Sequence, residues 1–195
     1  TGALQILDEA HISAFRPALA PDGRTVAFDA VPASPNERIV SYLHHPDSGL
    51  TVFDPAAFAM ATPMIGEFLY NPSWSPDGRR ITWLSSSGER VGLQVYDLDA
   101  ATAVQIFDWD PARFGALIPS PVWSPDGSWL ALEVWANGPQ GSGVWLIAAD
   151  GSSQTLVDAL GHDPFWIGSQ QLAFNVSGSP RIYDIGSGQA FKLQL

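Results

Sequence analysis

Cysteine is absent from the 195 residues. That excludes disulfides, cysteine-based zinc sites and thiol nucleophiles, and leaves the compartment open. Basic residues are scarce: 9 Lys and Arg stand against 20 Asp and Glu, for a formal net charge of -11. Such a surface repels phosphate backbones and anionic bilayers, so the sequence argues against nucleic acid and against membrane insertion. No apolar run approaches the roughly 20 residues that a spanning helix needs. Several catalytic motifs are also missing. There is no Gly-x-Ser-x-Gly nucleophile elbow, no Walker loop, no His-Glu-x-x-His and no dinucleotide fingerprint. The residues thus predict neither a catalytic site nor a metal site, and the reading leans away from an enzyme. The opening Thr1-Gly2-Ala3 reads as neither a signal peptide nor an initiator methionine, so the chain is expected to come from a longer one.

Glycine and proline are plentiful, at 18 and 16, which suits many short strands joined by turns. The strongest feature is a repeat. Pro121-Val122-Trp123-Ser124-Pro125-Asp126-Gly127 precedes the apolar run from Trp129 to Val134, and Pro72-Ser73-Trp74-Ser75-Pro76-Asp77-Gly78 precedes Ile81 to Leu84. A third copy, Pro17 to Gly23, has Leu19 and Ala20 in place of Trp and Ser. A fourth, Pro164 to Ser169, keeps Trp166 and has lost Pro-Asp-Gly. Ser-Pro-Asp-Gly suits a tight turn: proline presets φ, aspartate bonds its own backbone, and glycine closes the turn. With apolar and aromatic residues on both sides, each copy reads as a hairpin. Four copies in order dictate an architecture of repeated units.

The pattern Pro-x-Trp-Ser-Pro-Asp-Gly followed by an Ile-Ala-Phe-like strand resembles the WD40-like β-propeller repeat of the TolB family. Similar repeats occur in propellers attached to prolyl oligopeptidase-type peptidases. The resemblance implies an all-β propeller, a protein or peptide partner, and a periplasmic or extracellular location. Its motif residues are structural and carry no chemistry of their own.

The turn signals divide the chain into four blades of four antiparallel strands, at about 14–54, 70–108, 119–158 and 162–195, all in one propeller segment. Residues 1–13 read as the outer strand of a preceding or closing blade. The marker prolines are spaced by 55, 49 and 43 residues. Asp54-Pro55 and Asp110-Pro111 are helix-start signals, each predicting a single helical turn. Counting Ala3 to Leu7 gives five outer strands for four inner sets. The expectation is therefore part of a larger propeller, or a ring completed by a second copy, with the remaining edges covered.

Candidate site residues follow from this frame. The turn aspartates Asp22, Asp77 and Asp126 are expected to bond their own backbones, not a ligand. Tyr96-Asp97-Leu98-Asp99 lacks the later ligands of a calcium loop and reads as a turn. Adjacent strand residues point to opposite faces, so His44 and His45 do not share an ion. No cofactor is predicted, calcium being the one considered. Trp74, Trp123 and Trp166 hold equivalent positions and are expected to be core between blades, whereas Trp109 and Trp135 fall near loops. The first-to-second and third-to-fourth connections share one rim of a propeller, and here they are tight. The long connections fall on the other rim: 32–36, 55–70, 111–119 and 136–142. Loops on a rigid scaffold are where binding concentrates. The predicted binding residues are thus Phe58, Met60, Met64, Phe114 and Trp135 on that rim, with His162 and Asp163 just before an inner strand. The function read from this is a non-enzymatic scaffold for protein–protein contact. The alternative is a substrate-gating or catalytic propeller of a hydrolase with a channel-bound metal.

Overall fold

The computed structural model of the chain describes residues 13–31, 40–52, 68–87, 90–109, 121–135 and 142–193. These form sixteen strands in four separate antiparallel sheets of four. Blade 1 comprises β1 Ser13–Leu19, β2 Val26–Val31, β3 Val40–His45 and β4 Gly49–Val52. Blade 2 comprises β5 Phe68–Trp74, β6 Arg80–Ser87, β7 Arg90–Asp97 and β8 Thr102–Trp109. Blade 3 comprises β9 Val122–Trp123, β10 Trp129–Val134, β11 Gly143–Ala148 and β12 Gln154–Asp158. Blade 4 comprises β13 Gly161–Gly168, β14 Gln171–Val176, β15 Ser179–Asp184 and β16 Gln189–Lys192. Within every sheet the strands pair in chain order, as a meander. No helix occurs among the described residues. The helical turns expected after Pro55 and Pro111 lie outside them.

The repeated turn forms as its residues dictate. The Gly78 N–H donates to the Ser75 carbonyl at 2.9 Å and the Gly127 N–H to the Ser124 carbonyl at 2.9 Å. The serine side chain ties the turn to the strand behind it. The Arg80 N–H donates to Ser75 Oγ and the Trp129 N–H to Ser124 Oγ, each at 2.9 Å. Each serine hydroxyl in turn donates to the turn aspartate, Asp77 or Asp126. The first copy has Ala20 here, and Thr25 supplies the missing hydroxyl, donating to Asp22 Oδ2 at 2.6 Å. The Thr25 hydroxyl and the Thr25 and Arg24 N–H groups together draw the Asp22 carboxyl down to about 2. Burial opposes ionisation at Asp77 and Asp126, but the Ser75 and Ser124 hydroxyls and nearby backbone N–H groups outweigh it and hold both below the ordinary carboxylate value. All three are ionised at neutral pH and engaged in their own turns, as expected for structural aspartates.

The hydrophobic core lies between sheets, not inside one of them. Ala27 of blade 1 packs with Ile81, Trp83 and Tyr96 of blade 2, with Leu43, Trp74 and Leu98 against them. A larger cluster joins Leu84, Leu93, Val95 and Phe107 of blade 2 to Trp123, Leu130, Leu132 and Ile147 of blade 3. Ala131 and Val144 of blade 3 pack with Leu172 and Phe174 of blade 4. Every seam also carries the same hydrogen bond. The Trp74 indole N–H donates to the Ala18 carbonyl at 3.0 Å, Trp123 to Ser73 at 3.1 Å and Trp166 to Val122 at 2.9 Å. Each acceptor lies one residue before the equivalent position of the preceding blade, so the joint is copied along the chain. Only Trp123 is fully buried; Trp74 and Trp166 are half-buried. This corrects the expectation of three buried rings. Trp74 flanks an open cleft at its seam, whereas the Trp123 ring is capped by Arg80, whose guanidinium carbon lies 4.9 Å from the ring centroid.

Candidate interaction surface

Strand order places the two kinds of connection on opposite rims. One rim carries the turns at 20–25, 46–48, 75–79, 98–101, 124–128, 149–153, 169–170 and 185–188. These are closed by their own hydrogen bonds. Asp97 Oδ1 accepts the Asp99 and Ala100 N–H groups, and Asp184 Oδ1 accepts the N–H and hydroxyl of Ser187. The Tyr96 to Asp99 stretch is therefore the end of β7 and the start of its turn, with Tyr96 buried in the strand. His44 is buried, while His45 is partly exposed and accepts the Asp47 N–H at 3.2 Å through Nδ1. The two imidazoles stand on opposite faces of β3, as strand alternation requires. Among the described residues no group of three or more His, Cys, Asp or Glu is gathered as for a metal ion.

The strand ends on the other rim border the segments 32–39, 53–67, 88–89, 110–120 and 136–141, with short links at 159–160 and 177–178. Phe58, Met60, Met64 and Phe114 lie outside the described residues. Trp135 is described. It follows the end of β10 and is 59% exposed. Leu160, at 71%, is the most exposed large apolar side chain among the described residues and sits in the short link from β12 to β13 on the same rim. The sequence reading missed it because a link of two residues gives no loop signal.

His162 and Asp163 lie inside β13, not before it. The reason is a bulge. The register of β13 on β14 shifts between His162 and Phe165, and Asp163 takes a φ of 53°. Arg16 and Asn71 hold the same position in β1 and β5, with φ of 54° and 56° and the same register shift. Such a left-handed residue bends the strand and leaves its N–H outside the ladder. A buried acid of the preceding blade accepts that N–H: Glu133 Oε2 accepts from Asp163 at 2.8 Å, and Asp29 Oδ2 accepts from Asn71 at 3.2 Å. Asp29 and Glu133 occupy equivalent positions, two residues beyond Ala27 and Ala131. His162 Nδ1 and Asp163 Oδ2 are 2.8 Å apart and solvent-exposed. Glu133, which accepts the Asp163 N–H, precedes Trp135 by two residues. Trp135 just beyond β10, Leu160 between β12 and β13, and His162 and Asp163 at the start of β13 thus lie toward the same rim.

Among the described residues, two further apolar surfaces are exposed. Leu19, the blade 1 counterpart of the seam tryptophans, is 62% exposed. On blade 4, Phe165, Ala173, Ile182 and Phe191 form one row across the four strands, on the face turned away from blade 3. Phe165 and Phe191 are both more than half exposed, with Ile167 and Leu193 also exposed beside them.

No family model matches the chain. Among curated proteins it is similar to the Tol-Pal system protein TolB of Alcanivorax borkumensis, 33% identical over 73 residues, or 37% of this chain and 16% of that protein. It is also similar to the TolB homolog of Chlorobium chlorochromatii, 28% identical over 120 residues, or 60% of this chain and 26% of the relative. Among solved structures, TolB from Acinetobacter baumannii superposes with a TM-score of 0.57 at 18% identity, covering 94% of this chain and 44% of that one. The β-propeller domain of the Trilobed protease from Pyrococcus furiosus superposes with a TM-score of 0.69 at 14% identity, covering 95% and 58%. At these identities the solved structures establish the fold, a β-propeller. The matches span about a sixth to a quarter of the curated relatives' length.

Proposed function

Since the chain is a TolB-like β-propeller, we propose that it is a non-enzymatic binding module that holds a protein or peptide partner on its loop-rich rim. The observation that carries this is the asymmetry of the rims. One is closed by short, self-bonded turns, while the other collects the long connections and the exposed Trp135 and Leu160. A relative is named for the Tol-Pal system. By that likeness the partner is a protein and the compartment periplasmic or extracellular. Paired substitution of Phe58 and Phe114 by Ser is expected to abolish capture of the partner while moving the melting temperature by no more than a few degrees. If the pair instead unfolds the protein, those residues are core and the binding-rim reading fails. A marked rise in melting temperature on adding calcium would favour the hydrolase-gating reading instead.

The uncovered faces bear on assembly. The apolar row of blade 4 and the exposed Leu19 of blade 1 are the two halves of a seam that elsewhere is closed. We infer that further blades cover them, from a larger propeller or a second copy. A monomeric, closed four-bladed ring, shown by solution scattering together with a crystal structure, would contradict this.

A further inference from the structure

The seams between blades 1 and 2 and between blades 2 and 3 are built from equivalent residues, with one difference. At the second seam, Arg80 follows the turn glycine Gly78 by two positions. Its guanidinium lies over the Trp123 ring, Nη2 donates to the Gly127 carbonyl at 2.8 Å, and Asp77 Oδ2 stands 4.0 Å away. An aromatic face, a carbonyl and a carboxylate thus converge on one planar cation, which suits guanidinium better than ammonium. At the first seam the residue two positions after Gly23 is Thr25. Threonine is too short to reach the next blade, and its hydroxyl is already given to Asp22.

What remains is a cleft of about 440 Å³, lined by Leu43, Trp74 and Leu98, with Asp22, Asp77 and Gly78 at its edge. These are the counterparts of the groups around Arg80: Trp74 for Trp123, Gly78 for Gly127, and Asp22 for Asp77. Both edge carboxylates are ionised at neutral pH, and Asp77 Oδ2 carries none of that turn's short hydrogen bonds, which go to Oδ1. We propose that this cleft receives an arginine side chain of a partner polypeptide, its guanidinium flat on Trp74 and donating to the Gly78 carbonyl. The molecule itself supplies the template, one blade further on. The cleft lies on the tight-turn rim, so the proposal is independent of binding at the loop-rich rim.

The test is a titration of the 15N-labelled protein with acetyl-arginine amide, followed by the Trp74 indole and Gly78 amide resonances. Saturable shifts of both are expected, with no comparable response to acetyl-citrulline amide, which has the same shape without the charge. Thr25→Arg fills the cleft from within and should abolish the response, and its crystal structure should show the new guanidinium over Trp74. If Thr25→Arg does not fold, Asp77→Asn serves, with binding expected to weaken about tenfold. No saturable shift in the wild type would overturn the proposal. So would an equal response to citrulline, a response that survives in Thr25→Arg, or, where Asp77→Asn serves, binding as tight as in the wild type.

Discussion

Gly143→Ala is expected to abolish folding or to destabilise the protein by more than about 4 kcal/mol, the range reserved for severe backbone or packing faults. A methyl group on Gly143 would stand 2.0 Å from the Asp158 carbonyl oxygen and 2.7 Å from Ala159 Cα. Both are backbone atoms, one at the end of β12 and one just beyond it, and have no rotamer by which to retreat. The residue also has a φ of 118°, which side chains of L residues rarely adopt. Relief would require parting β11 from β12 where their register already shifts, between Val144 and Trp145. Gly168→Ala is the control, since nothing lies within 4 Å of its added carbon. Denaturant unfolding of both variants decides the matter. A Gly143→Ala protein within 1 kcal/mol of wild type would show that the strands do not approach as described.

Trp123→Ala should cost about 3–5 kcal/mol, as for other buried aromatic truncations. The ring is 7% exposed and belongs to the cluster that joins blades 2 and 3. Its loss empties that seam, leaves the Ser73 carbonyl without its indole donor, and strips Arg80 of the ring beneath it. Trp74→Ala should cost less, because Trp74 is half-buried and already borders an open cleft. Thermal and denaturant unfolding rank the two. A loss under 1 kcal/mol for Trp123→Ala would mean that the ring is not seated in the seam.

Much of the fold was legible in the sequence because the repeat encodes local geometry. Ser75-Pro76-Asp77-Gly78 specifies its turn by short-range hydrogen bonds, and the strands flanking it follow from alternation. Strand ends were less legible. In blade 2, β6 runs from Arg80 to Ser87, further than the apolar run from Ile81 to Leu84. The bulges were hidden for a different reason. Arg16, Asn71 and Asp163 share a backbone conformation and no side-chain chemistry, so nothing in residue type marks them as equivalent. Their acceptors, Asp29 and Glu133, differ in length, and the corresponding place in blade 2 is Leu84. The acids read as ordinary strand charges until the neighbouring blade is in place. The cleft beside Trp74 was likewise invisible. It arises from what Thr25 fails to reach, and that shows only against Arg80 one blade away. Of the predicted binding residues, Trp135, His162 and Asp163 lie at strand ends toward the same rim, while Phe58, Met60, Met64 and Phe114 lie outside the described residues.

The most direct test of the binding-rim reading is site-specific photocrosslinking in cells that produce the protein. A photoreactive phenylalanine analogue would replace Phe58, Phe114 or Trp135, or, on the tight-turn rim away from the Trp74 cleft, Ser152 or Ser187. The account predicts a discrete crosslinked protein partner from the first three positions and none from the last two. Crosslinks confined to positions 152 and 187, or equal from both sets, would contradict it.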